Sequence, residues 1–409
     1  MRRKRELRAR RGGLPISREG DGTSRPVACA LGKVVDVNVA RAAFAAAAAV
    51  GAAWVARAAW GLPVELGAGR RSVARSVASA TRAGAAFRNT DPASPIAPGS
   101  GFALAIEMVR RGGRGRPPGA VPVVTPIAPA SAADLAVTWY GHSSVLIEVD
   151  GRRVLTDPVW SERVSPSRTV GPGRLHPVPG ALADLPPIDA VVVSHDHYDH
   201  LDRRTVTELV RTQKAPFVVP LGIGAHLRRW AVPADRIVEL DWDESADVAG
   251  LTLTCTEARH FSGRFLTRNP TQWASWVIAG EHRRVFFGGD SGYTARFARV
   301  GERYGPFDLT LLPVGAYDHR WADVHMTPEE AVSTHRELEQ GDASAGTLVP
   351  IHWATFDLAF HAWSEPVDRL VSAAADAGTH IVVPTPGQRV VPERDRSTAI
   401  AQPWWSQLL

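Results

Sequence analysis

From Val191 to His200 the chain reads Val-Val-Val-Ser-His-Asp-His-Tyr-Asp-His. Val191 to Ser194 are β-formers or small residues and predict the end of a buried strand. His195, His197, Asp199 and His200 follow at once, and Leu201-Asp202 opens a helix. Three imidazoles and a carboxylate packed this closely make a poor surface and a worse core. They suit a borderline cation such as zinc, which takes histidine nitrogen and carboxylate oxygen at about 2.0–2.2 Å. The strand end supplies rigidity, and the loop supplies a turn that points alternate side chains at one spot. One open catalytic zinc needs fewer ligands than this, so two metals are expected.

Other strands end in the same residue types. Glu257-Ala-Arg-His260 follows an apolar strand beginning at Leu251. In Val285-Phe-Phe-Gly-Gly-Asp290 the first polar side chain is a carboxylate after two glycines, which let backbone crowd close to a buried ion. Leu348-Val-Pro-Ile-His352 again ends an apolar strand in histidine. One such end is commonplace and is usually a satisfied core residue. Four in one chain, one of them carrying the dense cluster, point to a shared metal centre.

The elements that must position these residues begin near Leu135. Ala136–Tyr140, Ser144–Val149 and Arg153–Thr156 read as consecutive strands, with Asp150-Gly151 as a hairpin turn. Further strands are predicted at Phe217–Pro220, Ile237–Leu240, Leu251–Glu257, Trp273–Ala279, Val285–Gly289, Leu309–Val314, Leu348–Ile351 and His380–Pro384. Helices fall between them at Arg203–Thr212, Leu221–Trp230, Pro328–Gln340 and Pro366–Ala377. Pro328 followed by two glutamates suits a first helical turn. Groups of strands interrupted by helices predict an α/β protein with two sheets face to face and helices outside.

The 409 residues carry a formal net charge of +5, but residues 1–20 alone hold eight Arg or Lys against two Glu. The rest is near neutral, with 39 basic and 40 acidic residues. Nucleic acid is therefore not an expected partner, because backbone binding is driven by clustered Lys and Arg. Cys29 and Cys255 lie far apart and suggest no disulfide framework. Residues 1–66 are read as a basic disordered tail plus an Ala-rich hydrophobic segment, 67–134 as a leader packing on the main domain, and 135–409 as the catalytic domain. The uncharged run Ala42–Ala56 is shorter than the ~20 residues of a spanning helix and reads as an Ala-rich soluble helix, or, by its basic flank, as an anchor or export signal. A cytoplasmic or membrane-associated location is expected. The leader includes a helix-like patch at Phe102–Arg110.

The order HDHYDH, His260, Asp290, His352 resembles the metallo-β-lactamase superfamily and its αββα four-layer sandwich. In detail it is similar to the N-acyl-phosphatidylethanolamine-hydrolysing phospholipase D family over about residues 135–390. The stretches that carry this are Trp139-Tyr-Gly-His-Ser-Ser, Asp157-Pro-Val-Trp-Ser-Glu-Arg-Val-Ser-Pro, Gly288-Gly-Asp-Ser-Gly-Tyr293 and Gly305-Pro-Phe-Asp-Leu. To these are added Pro313-Val-Gly-Ala-Tyr-Asp-His-Arg-Trp321, His325-Met-Thr-Pro-Glu-Glu-Ala331 and Ile351-His-Trp-Ala-Thr-Phe-Asp-Leu-Ala359.

The resemblance implies one zinc on His195, His197 and His260, a second on Asp199, His200 and His352, and Asp290 bridging the two; manganese or iron suits the same cage. Paired cations lower the pKa of a bridging hydroxide and neutralise the oxyanions of a displacement at phosphorus. Asp199, Asp290 and His325 are the candidate catalytic residues, Asp199 orienting the hydroxide or taking up its proton. Arg320 is the candidate phosphate cation, because a guanidinium fork matches phosphate oxygens. Tyr317 and Trp321, with His319, are candidates for the substrate entrance. His142 is read as supporting a ligand or shaping a turn, and Trp404-Trp405 as packing the tail onto the domain or contacting lipid.

The expected activity is phosphodiester hydrolysis of phospholipase D type. Its partners would be a phospholipid or related phosphodiester, a membrane surface and a second copy of the chain as a homodimer. A lactonase or another phosphodiesterase on the same fold is the alternative, and a non-catalytic lipid- or metal-binding protein a weaker one. A redox di-iron role is disfavoured, since His197 stands where such proteins use Glu.

Overall fold

A computed structural model of the chain describes residues 31–75, 82–83, 86–93, 101–264, 267–342, 345–392 and 403–408. Most of the basic tail read from the sequence, and Cys29, lie outside the described residues. The chain divides into two compact units, one ending at Ala56 and the other running from Arg57 to Leu409. A helix runs through Leu31–Ala59, well beyond the uncharged Ala42–Ala56 run. Its apolar side chains Phe44, Val50 and Trp54 are exposed, and by length and composition it is apolar enough to cross a membrane.

The strands of the second unit are β1 (Arg82–Ala83), β2 (Ala86–Phe87), β3 (Leu135–Gly141), β4 (Ser144–Val149), β5 (Arg152–Thr156), β6 (Ala190–Val192), β7 (Phe217–Pro220), β8 (Ile237–Leu240), β9 (Ser245–Val248), β10 (Leu251–Thr256), β11 (Ser275–Ala279), β12 (Arg284–Phe287), β13 (Leu309–Pro313), β14 (Leu348–Ile351) and β15 (Arg389–Val390). β1 and β2 form a small hairpin. One large sheet has the order β15-β3-β4-β5-β6-β7-β8 and the other β14-β13-β12-β11-β10-β9. Both sheets are mixed, the parallel pairs being those within β5-β6-β7-β8 and β12-β13-β14 and the rest antiparallel. Parallel strands end on the same side, so the residues after β6, β12 and β14 are delivered to one rim.

Strand alternation divides the interior into layers. Ala190 and Val192 of β6 join Val145, Ile147, Leu253, Cys255, Trp276 and Phe287 in the core between the sheets. Val191 and Val193 turn the other way, against Val206 and Leu209 of the helix Arg203–Thr212 and Ile223 and Leu227 of the helix Ile223–Arg229. The helices Arg296–Tyr304, Pro328–Leu338 and Glu365–Ala377 cover the second sheet. The result is the αββα four-layer sandwich. Thr327 and Glu330 form a reciprocal capping box ahead of Pro328.

Three strand readings change. His380–Pro384 is no strand, only a bridge between Ile381 and Leu348. Leu348 donates to His380 and accepts from Val382, but the next partner along β14 would be Pro350, which has no N–H to extend the ladder. β9 is polar and half exposed, so its alternation carries no hydrophobic signal, and the two-residue β15 is too short to give one. The tail residues Trp404 and Trp405 are buried against Trp353, and Trp405 Nε1 donates to Asp368 at 2.9 Å, which is packing and not a lipid contact.

His335, on the buried side of Pro328–Leu338, shares a hydrogen bond of 2.8 Å with Thr310. Burial pushes its imidazole from 6.5 down to about 4. The unfolded chain therefore binds the proton first, and the stability that neutral His335 contributes is full above pH 6.5 and lost as pH falls towards 4. Urea unfolding of chelator-treated protein across that window should show a shallower loss of stability in His335→Gln than in the wild type; equal slopes would assign the acid sensitivity elsewhere.

Candidate metal centre

The loop that carries the dense cluster is anchored at both ends. At its start, Ser194 donates from its backbone N (2.7 Å) and its Oγ (2.6 Å) to Asp157, which follows β5. At its end, Asp202 caps the helix Arg203–Thr212 by accepting from Arg204 N (3.2 Å) and also holds Ser161 Oγ at 2.7 Å. His200 N and Leu201 N both donate back to His197 O, making the turn between the anchors. Asp290 reaches the same place because Gly289 has φ +57° and its backbone presses on Ser194. A Cβ there would lie 2.5 Å from Ser194 Cβ. His352 also sits in the left-handed region, at φ 61°, held by a 3.0 Å bond from its N to His142 O.

All seven ligand candidates converge. His195 Nε2 is 2.8 Å from His197 Nδ1, which is 3.4 Å from His260 Nε2. Asp199 Oδ2 lies 3.4 Å from His200 Nε2 and 3.5 Å from His352 Nε2. Asp290 Oδ2 stands between the groups, 3.9 Å from His195, 3.8 Å from His260, 3.1 Å from His200 and 3.0 Å from His352. Ligands about 2.1 Å from a tetrahedral ion are about 3.4 Å from each other, which is the spacing found. His200 Nε2, His352 Nε2 and Asp290 Oδ1 are buried without a hydrogen bond, a costly state that a cation relieves. The residues present fit a metal pair.

Three of the outer ring nitrogens have partners of their own. His200 Nδ1 bonds Asp157 Oδ2 at 2.6 Å, His195 Nδ1 bonds Ser194 Oγ at 2.9 Å, and His260 Nδ1 donates to Val324 O at 2.8 Å. Each such bond selects the tautomer that leaves Nε2 free to face the centre. With protein charges alone, burial drives the imidazoles of His195 and His260 well below their ordinary value. Burial opposes ionisation of Asp199 and Asp290, yet neighbouring histidines, His200 foremost, hold both carboxyls well below the usual range. His352 rises to about 9 against its burial because Asp290 and Asp199 face it.

Of the supporting candidates, His142 does both things considered for it. It turns the chain at φ 54°, and its Nε2 lies 3.0 Å from Asp199 Oδ2, with burial first and His352 second pushing it down to about 3. His325 stands 5.0 Å from His260 and 5.2 Å from His352, ring to ring, and burial lowers it to about 4. His325 and Trp321 line a cavity of about 430 Å³ over the cluster, with Leu104, Met108, Phe261, Leu358 and Phe360. Tyr317 and Arg320 do not line it. Tyr317 bonds Glu365 at 2.9 Å and stacks on His361, and Arg320 is forked onto Asp318, reaches Glu107 and lies over the Phe360 ring at 4.0 Å. His319 is exposed and sits beside Asp318.

Sequence analysis gave Asp157 no role beyond opening one of the stretches that carry the resemblance. The Asp-Pro step after an apolar strand does not reveal the buried contact with His200. His226 and His176, which stand in no ligand-like pattern in the sequence, also support the cluster. His226 is 3.5 Å from Asp196 inside the metal loop, and His176 Nε2 shares Thr355 Oγ1 with His142 N.

The sandwich and the ligand cluster at its rim define a metal-dependent hydrolase, and the Beta-lactamase superfamily domain matches residues 152–353. A Mycobacterium tuberculosis protein, uncharacterized protein Rv0906, is 54% identical over 356 residues, 86% of this chain and 94% of that one. N-acyl-phosphatidylethanolamine-hydrolyzing phospholipase D 1 of Caenorhabditis elegans is 38% identical over 59% of this chain and 70% of its own length. The mitochondrial enzyme of the same name in Saccharomyces cerevisiae is 31% identical over 59% of this chain and 52% of its own. The chain belongs to the N-acyl-phosphatidylethanolamine-hydrolysing phospholipase D-like family of the metallo-β-lactamase superfamily.

Asp157→Asn keeps the shape but removes the carboxylate charge that orients His200. Competition with a fluorescent chelator should report metal affinity lower by about 10- to 100-fold, the usual cost of losing such a partner. An affinity equal to wild type would leave Asp157 with a purely structural role.

Proposed function

We propose that the protein is a dinuclear zinc phosphodiesterase that cleaves phospholipids of the N-acyl-phosphatidylethanolamine type, releasing phosphatidic acid and the headgroup alcohol. The observation that carries this reading is the cavity itself. Its floor is His197, Asp199, Asp290, His325 and His352, and its wall is Leu104, Met108, Phe261, Trp321, Val324, Leu358 and Phe360. A polar floor under an apolar wall matches a molecule with a charged linkage and a hydrocarbon chain. The activity for which the worm and yeast relatives are named supports the same substrate class.

In this reading His195, His197 and His260 hold one metal, Asp199, His200 and His352 the other, and Asp290 both. Two such ions supply Lewis acidity and a nucleophile at neutral pH. Asp199, with His142 3.0 Å away, would take the proton of the attacking water and return it to the departing alkoxide, which leaves as the alcohol. His325 is neutral at pH 7, since burial lowers it to about 4, and serves as a hydrogen-bond donor to the substrate's oxygens rather than as a charged acid. The apolar wall excludes water and strengthens each of these interactions. The helix Leu31–Ala59 supplies an anchor or an export signal that brings the enzyme to its lipid.

One observation favours a second reading. Among the described residues lining the cavity there is no lysine or arginine. Arg320, the expected phosphate cation, is engaged by Asp318 and Glu107. An uncharged lactone would need no such cation.

The deciding experiment measures hydrolysis of N-acyl-phosphatidylethanolamine, bis-p-nitrophenyl phosphate and an acyl-homoserine lactone, with bound metal quantified in the same protein. Phosphodiester cleavage that disappears together with metal in His197→Ala is the expected result. Lactone cleavage alone would overturn the lipid assignment and keep the metals. Leu104→Ala should raise KM for the long-chain lipid by about tenfold, the worth of one buried leucine, and leave the soluble phosphodiester unchanged; equal effects on both would remove Leu104 from the acyl-chain wall.

A further inference from the structure

His260 differs from the other ligands in what fixes its backbone. It follows β10 beyond the last ladder pairing, at Thr256; a single bridge to Gly292 holds Arg259 before it, and among the described residues no strand pairs with His260 itself. A residue of the leader holds it instead. Asn89 Oδ1 accepts from His260 N at 3.1 Å, and Asn89 Nδ2 donates to His260 O at 2.8 Å. Trp273 Nε1 donates to the same Oδ1 at 2.9 Å. Rotating the amide by half a turn would break all three bonds, so its orientation is determined.

Asn89 is itself held by its surroundings. Phe87 is fully buried with Ala258 and Trp273, and its N donates to Asn269 O at 2.9 Å. Thr294 Oγ1 bonds Asp91 Oδ2 at 2.5 Å, and Arg259 donates to Pro92 O. The segment around Asn89 is stitched down on both sides of it. With the His260 backbone clamped and Nδ1 committed to Val324 O, one position remains for Nε2, 3.4 Å from His197 Nδ1. The Asp199, His200 and His352 group has other supports, namely Asp157, His142 and the helix cap at Asp202. Among the described contacts, Asn89 touches none of these.

We propose that Asn89 is a positioning residue for the metal held by His195, His197 and His260, and that the leader thereby tunes one metal position independently of the other. This rests on the dinuclear reading above. It does not depend on the substrate.

Zinc stoichiometry by elemental analysis and stepwise affinity by chelator competition test the proposal on the full chain. In Asn89→Ala the first-group metal should bind about 10- to 100-fold more weakly and the second as in wild type. Asn89→Asp keeps the acceptor for His260 N and Trp273 Nε1 but loses the donor to His260 O, so it should fall between. Unchanged affinities for both metals in Asn89→Ala, or equal weakening of both together with a lower Tm of the metal-stripped protein, would overturn the proposal. If Asn89→Ala does not fold, Asn89→Asp decides by the same two affinities. Fewer than two metals in wild type would instead sink the dinuclear reading.

Discussion

One carboxylate oxygen with four imidazole nitrogens within 4 Å, all buried, is the constraint the rest of this structure serves. Asp290 Oδ2 brings negative charge into a buried site, and the histidines bring lone pairs that must face inward and not outward. Neither is tolerable alone, since unpaired polar groups cost about 1–3 kcal/mol each when buried. The outer nitrogens of His195, His200 and His260 are committed elsewhere, and a cation in the middle would satisfy the atoms that face inward. That explains why Asp157, Ser194, Val324 O and His142 form a second ring around the first. It also explains why glycine stands at 289, where a side chain would collide with Ser194.

The leader belongs to this arrangement as much as the sandwich does. Glu65, 5% exposed, pairs with Arg203 at 2.7 Å, and its carbonyl accepts from Arg264 at 2.8 Å. Arg264 in turn donates to Asp196 O and Leu201 O, within the ligand loop. Ala68 N bonds His226 Nδ1 at 2.9 Å, and His226 faces Asp196. Further along, Leu104 and Met108 reach the cavity from the helix Gly101–Arg110. The residues before Leu135 thus brace the metal loop from behind and close the substrate cavity from the front.

The same packing accounts for the chemistry available above the metals. Arg320 does not reach the cavity floor, because Asp318 in its own loop and Glu107 from the leader neutralise it and Phe360 receives its face. Positive charge at the cavity would then be left to bound metal, and the wall is free to be apolar.

The residues that converge in the cluster were legible in the chain because strand ends are local. An apolar run followed by His or Asp states both the element and the place where it stops, and HDHYDH concentrates the signal. The four-layer order followed from groups of strands broken by helices, helped by the family resemblance. What the sequence left open were relations across long separations. Asp157 looked like a strand stop, His226 and His176 looked ordinary, and Asn89 carried no pattern, since a hydrogen bond across 171 residues leaves no local periodicity. Arg320 was chosen for its chemistry, but only the tertiary structure could bring Glu107 to it. Strand ends and ligand types are properties of neighbouring residues and were determined by the sequence alone. Which lone pair faces the metal, which cation stays free and what wall covers the site depend on distant segments meeting, and only the fold decided them.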